Sequence, residues 1–278
     1  MILVTTPNGK VGSEVVRQLL AKGAQVRVGA HTVAKAEREF PTAAVVHLDF
    51  NDADSVAAAL QGVSALYLAS PGEGDTAPVN AVVDAAVAAG VERIVRLSAM
   101  GVEQGESPMR EVERHVEASG TAWTLLRPNW FFQNFSTGQA GTIREQGAIF
   151  EPADDGATSF IDTRDIAAVA VAALTEDGHA GQAYTLTGGR AYNRTEVAAA
   201  IAEATGKPVQ YVPISSEQFI TSMAGAGASP DFVHFMVFLY DGIRAGWTTS
   251  VTDTVERLTG QAPRTLEQFA QDHREAWV

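Results

Sequence analysis

The 278-residue sequence predicts an α/β fold, a doubly wound parallel sheet followed by a smaller, mostly helical C-terminal subdomain. Three observations carry that expectation. Up to residue 128, short β-branched apolar runs alternate with apolar stripes at helical spacing. A glycine-bearing turn joins the first run to the first stripe. Beyond residue 129 the alternation gives way to an aromatic segment, a loop-rich stretch and then helical patterns.

Taken in order, the candidate strands are Met1–Thr5, Gln25–Ala30, Ala44–His47, Ala65–Ala69, Arg93–Ser98 and Trp123–Leu126. Between them, Val11, Val15 and Leu19 form one helical stripe, and Val79, Val82, Val83 and Ala86 form another. A helix in the fifties opens on an N-cap signal, Asn51 or Asp52, ahead of Val56 and Leu60. Each strand–helix unit takes about twenty to thirty residues, the length of a right-handed βαβ crossover. After Arg127 comes the aromatic Asn129–Phe135, then Gly138–Gly156, which reads as a loop-rich excursion. Thr158–Ile161, Thr163–Leu174 and Ala183–Thr187 resume a strand–helix–strand course. From about Ser215 the pattern is helical, with an apolar stretch Phe232–Tyr240 interrupted by His234. The expected division is 1–128, with 158–187 returning to it, against 129–157 and 188–278.

Twenty Lys and Arg face thirty-three Asp and Glu, a net charge of −13. That balance opposes nucleic acid and anionic membrane, both of which reward basic surfaces. With no cysteine, disulfides, thiolate metal sites and cysteine nucleophiles are excluded. The N-terminal Met1–Thr6 lacks the features of a signal peptide, and no apolar run is long enough for a membrane span. The expectation is a cytoplasmic monomer or homodimer whose partner is a small molecule.

The turn reads Thr5-Thr6-Pro7-Asn8-Gly9-Lys10-Val11-Gly12, directly between the first strand and first helix. Such a turn brings backbone N–H groups and a helix N-terminus to a pyrophosphate, the signature of a Rossmann-type dinucleotide site. Gly9 lets the ligand approach the backbone, and Gly12 lets helix and strand pack closely. The first of three regularly spaced glycines is here Thr6. After the second strand, an Asp or Glu would hold the ribose of NAD. This sequence instead has His31, Thr32 and Lys35, which can donate to a 2′-phosphate. A charge-assisted bond of this kind is worth about 1.5–3 kcal/mol, so the cofactor expected is NADP(H). Asp49 and Phe50 fall where the adenine lies, and Ala69-Ser70-Pro71-Gly72 line the cleft at the strand ends.

Conventional catalytic equipment is missing. Ser98 ends the fifth strand where a short-chain dehydrogenase keeps its serine. The tyrosines at 67, 184, 192, 211 and 240 are followed four residues on by Pro71, Gly188, Glu196, Ser215 and Arg244, never by Lys. No Gly-x-Ser-x-Gly elbow occurs, and the histidines at 31, 47, 115, 179, 234 and 273 lack metal-ligand spacing. Glu111, Glu113 and Glu117 read as solvated positions on a polar helix face. Asp165 reads as complementing a helix start. Hydride can nonetheless add directly to an electrophilic conjugated acceptor that the protein merely aligns. Met100, Asn129, Trp130, Phe131, Met223 and Phe235 are the candidates for that pocket, although aromatic and Met residues at helical spacing are commonly core.

The Thr5–Gly12 turn, the blocks Ala122–Phe135 and Phe160–Ala167, and the later Gly181–Gly188 and Ala204–Val209 resemble the NmrA-like branch of atypical short-chain dehydrogenases. That branch holds NADPH quinone reductases and triphenylmethane reductase. The resemblance implies that the turn residues Thr6 to Gly12 hold the pyrophosphate. It also implies that His31 stands where the branch often has a phosphate-binding arginine. The expected function is an NADPH-dependent reductase of a quinone or similar conjugated compound. Ser98 serves as a cofactor contact and a weak catalytic candidate, and no metal is required. The branch also contains NADP(H)-binding redox sensors without turnover, and tailoring reductases or isomerases of polyketide-like rings, so both remain as alternatives.

Overall fold

The computed structural model describes every residue of the chain except Pro71 and Glu73. In chain order its elements begin β1 (Ile2–Val4), α1 (Gly12–Ala21), β2 (Val26–Ala30), α2 (Val33–Glu39), β3 (Ala44–His47) and α3 (Ala53–Leu60). There follow β4 (Ala65–Leu68), α4 (Ala77–Ala88), β5 (Arg93–Leu97), α5 (Pro108–Ala118) and β6 (Ala122–Pro128). The remainder is α6 (Gln133–Ser136), α7 (Ala140–Gln146), β7 (Ala148–Glu151), α8 (Thr163–Thr175), β8 (Gln182–Leu186), α9 (Arg194–Thr205), β9 (Gln210–Pro213), α10 (Ser216–Gly225), α11 (Pro230–Arg244), α12 (Thr254–Thr259) and α13 (Leu266–Asp272).

The chain forms two units. The first comprises Met1–Pro128, Thr163–Leu186 and Thr254–Gln261. Its seven strands run parallel in the order β3-β2-β1-β4-β5-β6-β8. Strands buried on both faces explain the continuous apolar runs of the sequence. The pleat sends Leu3, Leu66, Leu68, Ile94 and Leu125 to one face, where they meet Val56 of α3, Val79 and Val83 of α4, and Val112 and Val116 of α5. α1 and α8 pack against each other, with α8 also against β4, β5 and β6. Asp52 caps α3 by accepting from the Asp54 and Ser55 amides, which decides between the two expected caps.

The second unit comprises Asn129–Asp162, Thr187–Asp253 and Ala262–Val278. Phe132 stacks on Phe269 at 5.2 Å, and Trp277 donates its indole N–H to the Phe135 carbonyl at 2.9 Å. Two expectations need correction here. The Gly138–Gly156 excursion holds α7 and β7, and β7 pairs in parallel with β9, from Ala148 against Gln210 to Glu151 against Pro213. Thr158–Ile161 is no strand, because only isolated bridges form there, Thr158 to Tyr192 and Phe131 to Ile161.

Candidate functional site

The turn after β1 is built around two backbone carbonyls. The buried Thr5 hydroxyl donates to the Ala69 carbonyl and accepts from the Ala69 amide, both at 2.9 Å, joining the carboxyl ends of β1 and β4. The Thr6 carbonyl then accepts from the Gly9 amide at 3.0 Å. A Cβ on Gly12 would lie 2.3 Å from that same oxygen, and one on Gly9 would lie 3.2 Å away. Gly12 is therefore obligatory for close packing, whereas at Gly9 a side chain fits only if the Thr6 carbonyl gives by a few tenths of an ångström. Thr6 itself has φ +46°, a left-handed conformation that favours glycine. Pro7 and Val11 are buried, while Asn8, Gly9 and Lys10 face solvent. Although exposed as a residue, Lys10 is crowded enough that desolvation lowers its ammonium pKa. Asn8 donates to Glu39 at 2.7 Å, and Arg17 pairs with the other Glu39 oxygen at 2.8 Å. Sequence reading missed this tie, which arises only because α2 returns to the turn. α1 starts behind Val11 with no side-chain capping bond among the described residues. A glycine cradle leading into an uncapped helix start fits a pyrophosphate.

At the end of β2, His31 Nε2 lies 3.8 Å from Asp49 Oδ2, and the His31 and His47 rings are 5.7 Å apart. Asp49 thus stands beside the residue expected to donate to a phosphate. The amide of Asn51 hydrogen-bonds the Asp49 carboxylate and, with the nearby histidines, holds it below the usual carboxylate range. His31, Thr32 and Lys35 are exposed, and Phe50 is half-buried against the sheet core. Beyond β4, Ala69 is buried and Ser70 Oγ accepts from the buried Arg96 at 2.9 Å. Pro71 lies outside the described residues.

The end of β5 corrects one reading. Glu113 is no solvated position on α5: its side chain is wholly buried. Arg127 places a fork on it, Nε to Oε1 at 2.9 Å and Nη2 to Oε2 at 2.8 Å, and Arg110 adds a bond at 2.8 Å. Burial alone would raise the Glu113 pKa, but hydrogen bonds from Arg127 and Arg110 outweigh it and keep the carboxyl below its ordinary value. Glu111 and Glu117 stay at the surface end of this network, accepting from Thr76 and Arg110 respectively. Ser98 is 6% exposed, and its amide donates to the Leu126 carbonyl at 2.7 Å. Its hydroxyl oxygen is buried with no hydrogen-bond partner among the described residues. Met100, also of this unit, donates its amide to the Pro128 carbonyl at 3.0 Å.

In the second unit, Asn129 is spent on structure. Its amide group donates to Ser159 Oγ at 2.7 Å and the Thr248 carbonyl at 2.9 Å, and its oxygen accepts from the Trp130 amide. Trp130 and Met223 come together around Ala153, Phe219, Tyr240 and Ile243. The Trp130 and Tyr240 rings are 5.5 Å apart. Phe131 is half-buried and bridges to Ile161 through its backbone, while Phe235 is 54% exposed and outside that cluster. Phe219 and Tyr240, missed in the sequence, complete the aromatic group. Among the described residues, no His, Asp and Glu group could hold a metal, and no helix is long and apolar enough to cross a membrane.

The chain is 38% identical to the NAD(P)H azoreductase of Xenophilus azovorans, across 100% of this chain and 99% of that protein. It is similar to the Escherichia coli NADPH-dependent quinone oxidoreductase QOR2 crystallised with NADPH, with a TM-score of 0.85 and 28% identity over 98% of this chain and 99% of that one. The Citrobacter sp. triphenylmethane reductase complexed with NADP(H) superposes with a TM-score of 0.83 and 27% identity, covering 98% and 99% respectively. These neighbours agree with the resemblance drawn from the sequence blocks. A family model described as NAD(P)H-binding matches residues 7–177, more than half of the chain, and the protein accordingly belongs to that NAD(P)H-binding family.

Proposed function

We propose that this protein is an NADPH-dependent reductase of flat, conjugated acceptors such as quinones and azo compounds. The observation that carries the proposal is the pairing of a glycine-bearing dinucleotide cradle with a β5 end where Glu113 is pinned as an anion by two arginines. Such a carboxylate has no proton to give. Tyr67, the tyrosine nearest along the sheet, lies in the core with its hydroxyl pKa pushed up by burial. Reduction therefore runs through acceptors electrophilic enough to need no side-chain acid, with water supplying the proton afterwards.

The nicotinamide group supplies the hydride when bound. Backbone N–H groups from Thr6 to Gly12 hold the pyrophosphate, and His31, Thr32 and Lys35 receive the 2′-phosphate of NADP. Asp49 works against that preference through its carboxylate beside His31. Trp130, Tyr240 and Met223 offer the acceptor an apolar, aromatic surface. The azoreductase, quinone reductase and triphenylmethane reductase among the similar proteins all carry names of conjugated compounds, which supports this class.

The test is the loss of NADPH absorbance with a panel of quinones, azo dyes and simple ketones. Turnover of quinones or dyes but not of ketones supports the proposal. Tight NADPH binding with no acceptor reduced at all replaces it with a redox-sensing role.

A further inference from the structure

The helix α11 is apolar on two sides. Its inner face, with Met236, Val237, Tyr240 and Ile243, packs into the group that holds Trp130, Met223 and Phe219. Its outer face carries Phe232, Phe235 and Phe238, each three residues from the next, and Trp247 extends the row. These four side chains are between 48% and 60% exposed. Trp247 has a seat built for it. Its indole lies across α11 at Gly242, where a Cβ would come within 2.5 Å of the ring, and its centroid is 5.7 Å from that of Phe238.

A helix apolar all round is ordinarily buried, and an aromatic row open to water marks an interface. Aromatic side chains bury about 150–250 Å² each, so four half-exposed rings leave roughly 400 Å² open per chain, about half of one partner's share of a standard interface. Charge decides what covers the row. Between Ile214 and Asp253 the only Lys or Arg is Arg244, whose guanidinium is engaged by Asp241 and the Pro152 carbonyl. A face for lipid or nucleic acid would carry a basic rim, which this chain of net charge −13 lacks there. His234 and Asp241, both exposed, stand two helical turns apart and so share one edge of the row. A second α11, laid antiparallel about a two-fold axis between Val237 and Phe238, keeps that edge on the same side. Each His234 then meets Asp241 of the other copy, and Phe238 meets its own counterpart at the axis. The face is complementary to itself.

We infer that the outer face of α11, with Trp247, is the docking surface for a second copy of this chain, paired antiparallel across a two-fold axis. Each copy contributes Phe232, Phe235, Phe238 and Trp247 to a shared apolar patch, with a His234–Asp241 contact at either end. The pairing needs no cofactor and stands apart from the reductase reading.

The test is sedimentation equilibrium of the full chain from about 1 to 100 μM, the range in which a micromolar dimer dissociates. The wild type should reach twice the mass of one chain. Phe238→Glu sets two like charges face to face at the axis, and should keep the mass of one chain throughout with an unchanged circular dichroism spectrum. His234→Asp, opposite Asp241, should raise the dissociation constant about tenfold or more, and adding Asp241→His should restore it to within about threefold. An apolar contact of another register would not respond to that exchange. Should Phe238→Glu misfold, Phe232→Glu on the flank carries the same expectation. A wild type that keeps the mass of one chain at the highest concentration overturns the inference. So does a Phe238→Glu protein that still dimerises, or a charge exchange without recovery. With a monomeric wild type, binding to phosphatidylcholine vesicles that Phe238→Glu abolishes would give the row to a membrane. A quinone KM raised by Phe238→Glu would give it to the acceptor.

Discussion

The carbonyl oxygen of Thr6 lies 2.3 Å from the position that a Cβ on Gly12 would take. Backbone meets backbone there, and no rotamer change can relieve the clash. Gly12→Ala should destabilise the fold by about 1–3 kcal/mol, as overpacked sites do, and should weaken dinucleotide binding as the turn shifts. Gly9, with 3.2 Å to the same oxygen, separates the two effects. Gly9→Val should cost less stability than Gly12→Ala and lose the affinity. Denaturant midpoints alongside calorimetry distinguish these outcomes, and unchanged affinity in a folded Gly9→Val protein refutes the cradle.

Thr6 pays a conformational penalty at φ +46°. A left-handed residue other than glycine costs about 1–2 kcal/mol, partly offset by the stiffer unfolded chain. Thr6→Gly should therefore raise stability by about 0.5–1 kcal/mol without harming affinity. A lower unfolding midpoint would mean the threonine side chain supports the turn by some other contact.

Glu113 anchors a buried ionic network. Removing it as Glu113→Ala strands Arg127 and Arg110, and should cost about 3–5 kcal/mol. Its pKa is lowered in the fold, so the unfolded chain takes up the proton first as pH falls. The stability it contributes is present in full above the ordinary value of 4.5 and drains away below it, towards the lower folded value. Unfolding free energies measured down through pH 4.5 should fall more steeply for wild type than for Glu113→Gln. Parallel curves would remove Glu113 from the account of acid stability.

The sheet and the glycine turn were legible in the sequence because both are local. β-branched runs, helical stripes and a turn before a helix each speak within about a dozen residues. β7 was not legible, since its partner β9 lies some sixty residues on and neither strand alternates strongly. Glu113 misled for a related reason. On α5 it sits next to the buried Val112 among charged neighbours, and the fork from Arg127, on β6, is not visible from the helix's own pattern. The His31–Asp49 approach likewise depends on β2 and β3 being neighbours. Asn129 looked like a pocket residue but is consumed by Ser159 and Thr248, 30 and 119 positions further along the chain.

That approach of Asp49 to His31 makes a cofactor prediction. Asp49→Asn removes a negative charge beside the 2′-phosphate position and should tighten NADPH binding several-fold. His31→Asp with Lys35→Ala should narrow or reverse the preference for NADPH over NADH. Both effects should weaken with added salt, because the groups are exposed. Equal affinities for NADPH and NADH in the wild type would contradict this reading of the β2 end.

Hydride transfer without a side-chain acid is tested by single-turnover NADPH oxidation by an accepted quinone at saturating cofactor. Wild type, Ser98→Ala and Trp130→Ala are compared. Ser98→Ala should keep its rate to within about tenfold, since no side chain donates a proton to the acceptor. Trp130→Ala should lose more, through misalignment of the acceptor. A fall of several orders of magnitude in Ser98→Ala, with Trp130→Ala unaffected, would contradict the account and place a proton relay at the end of β5.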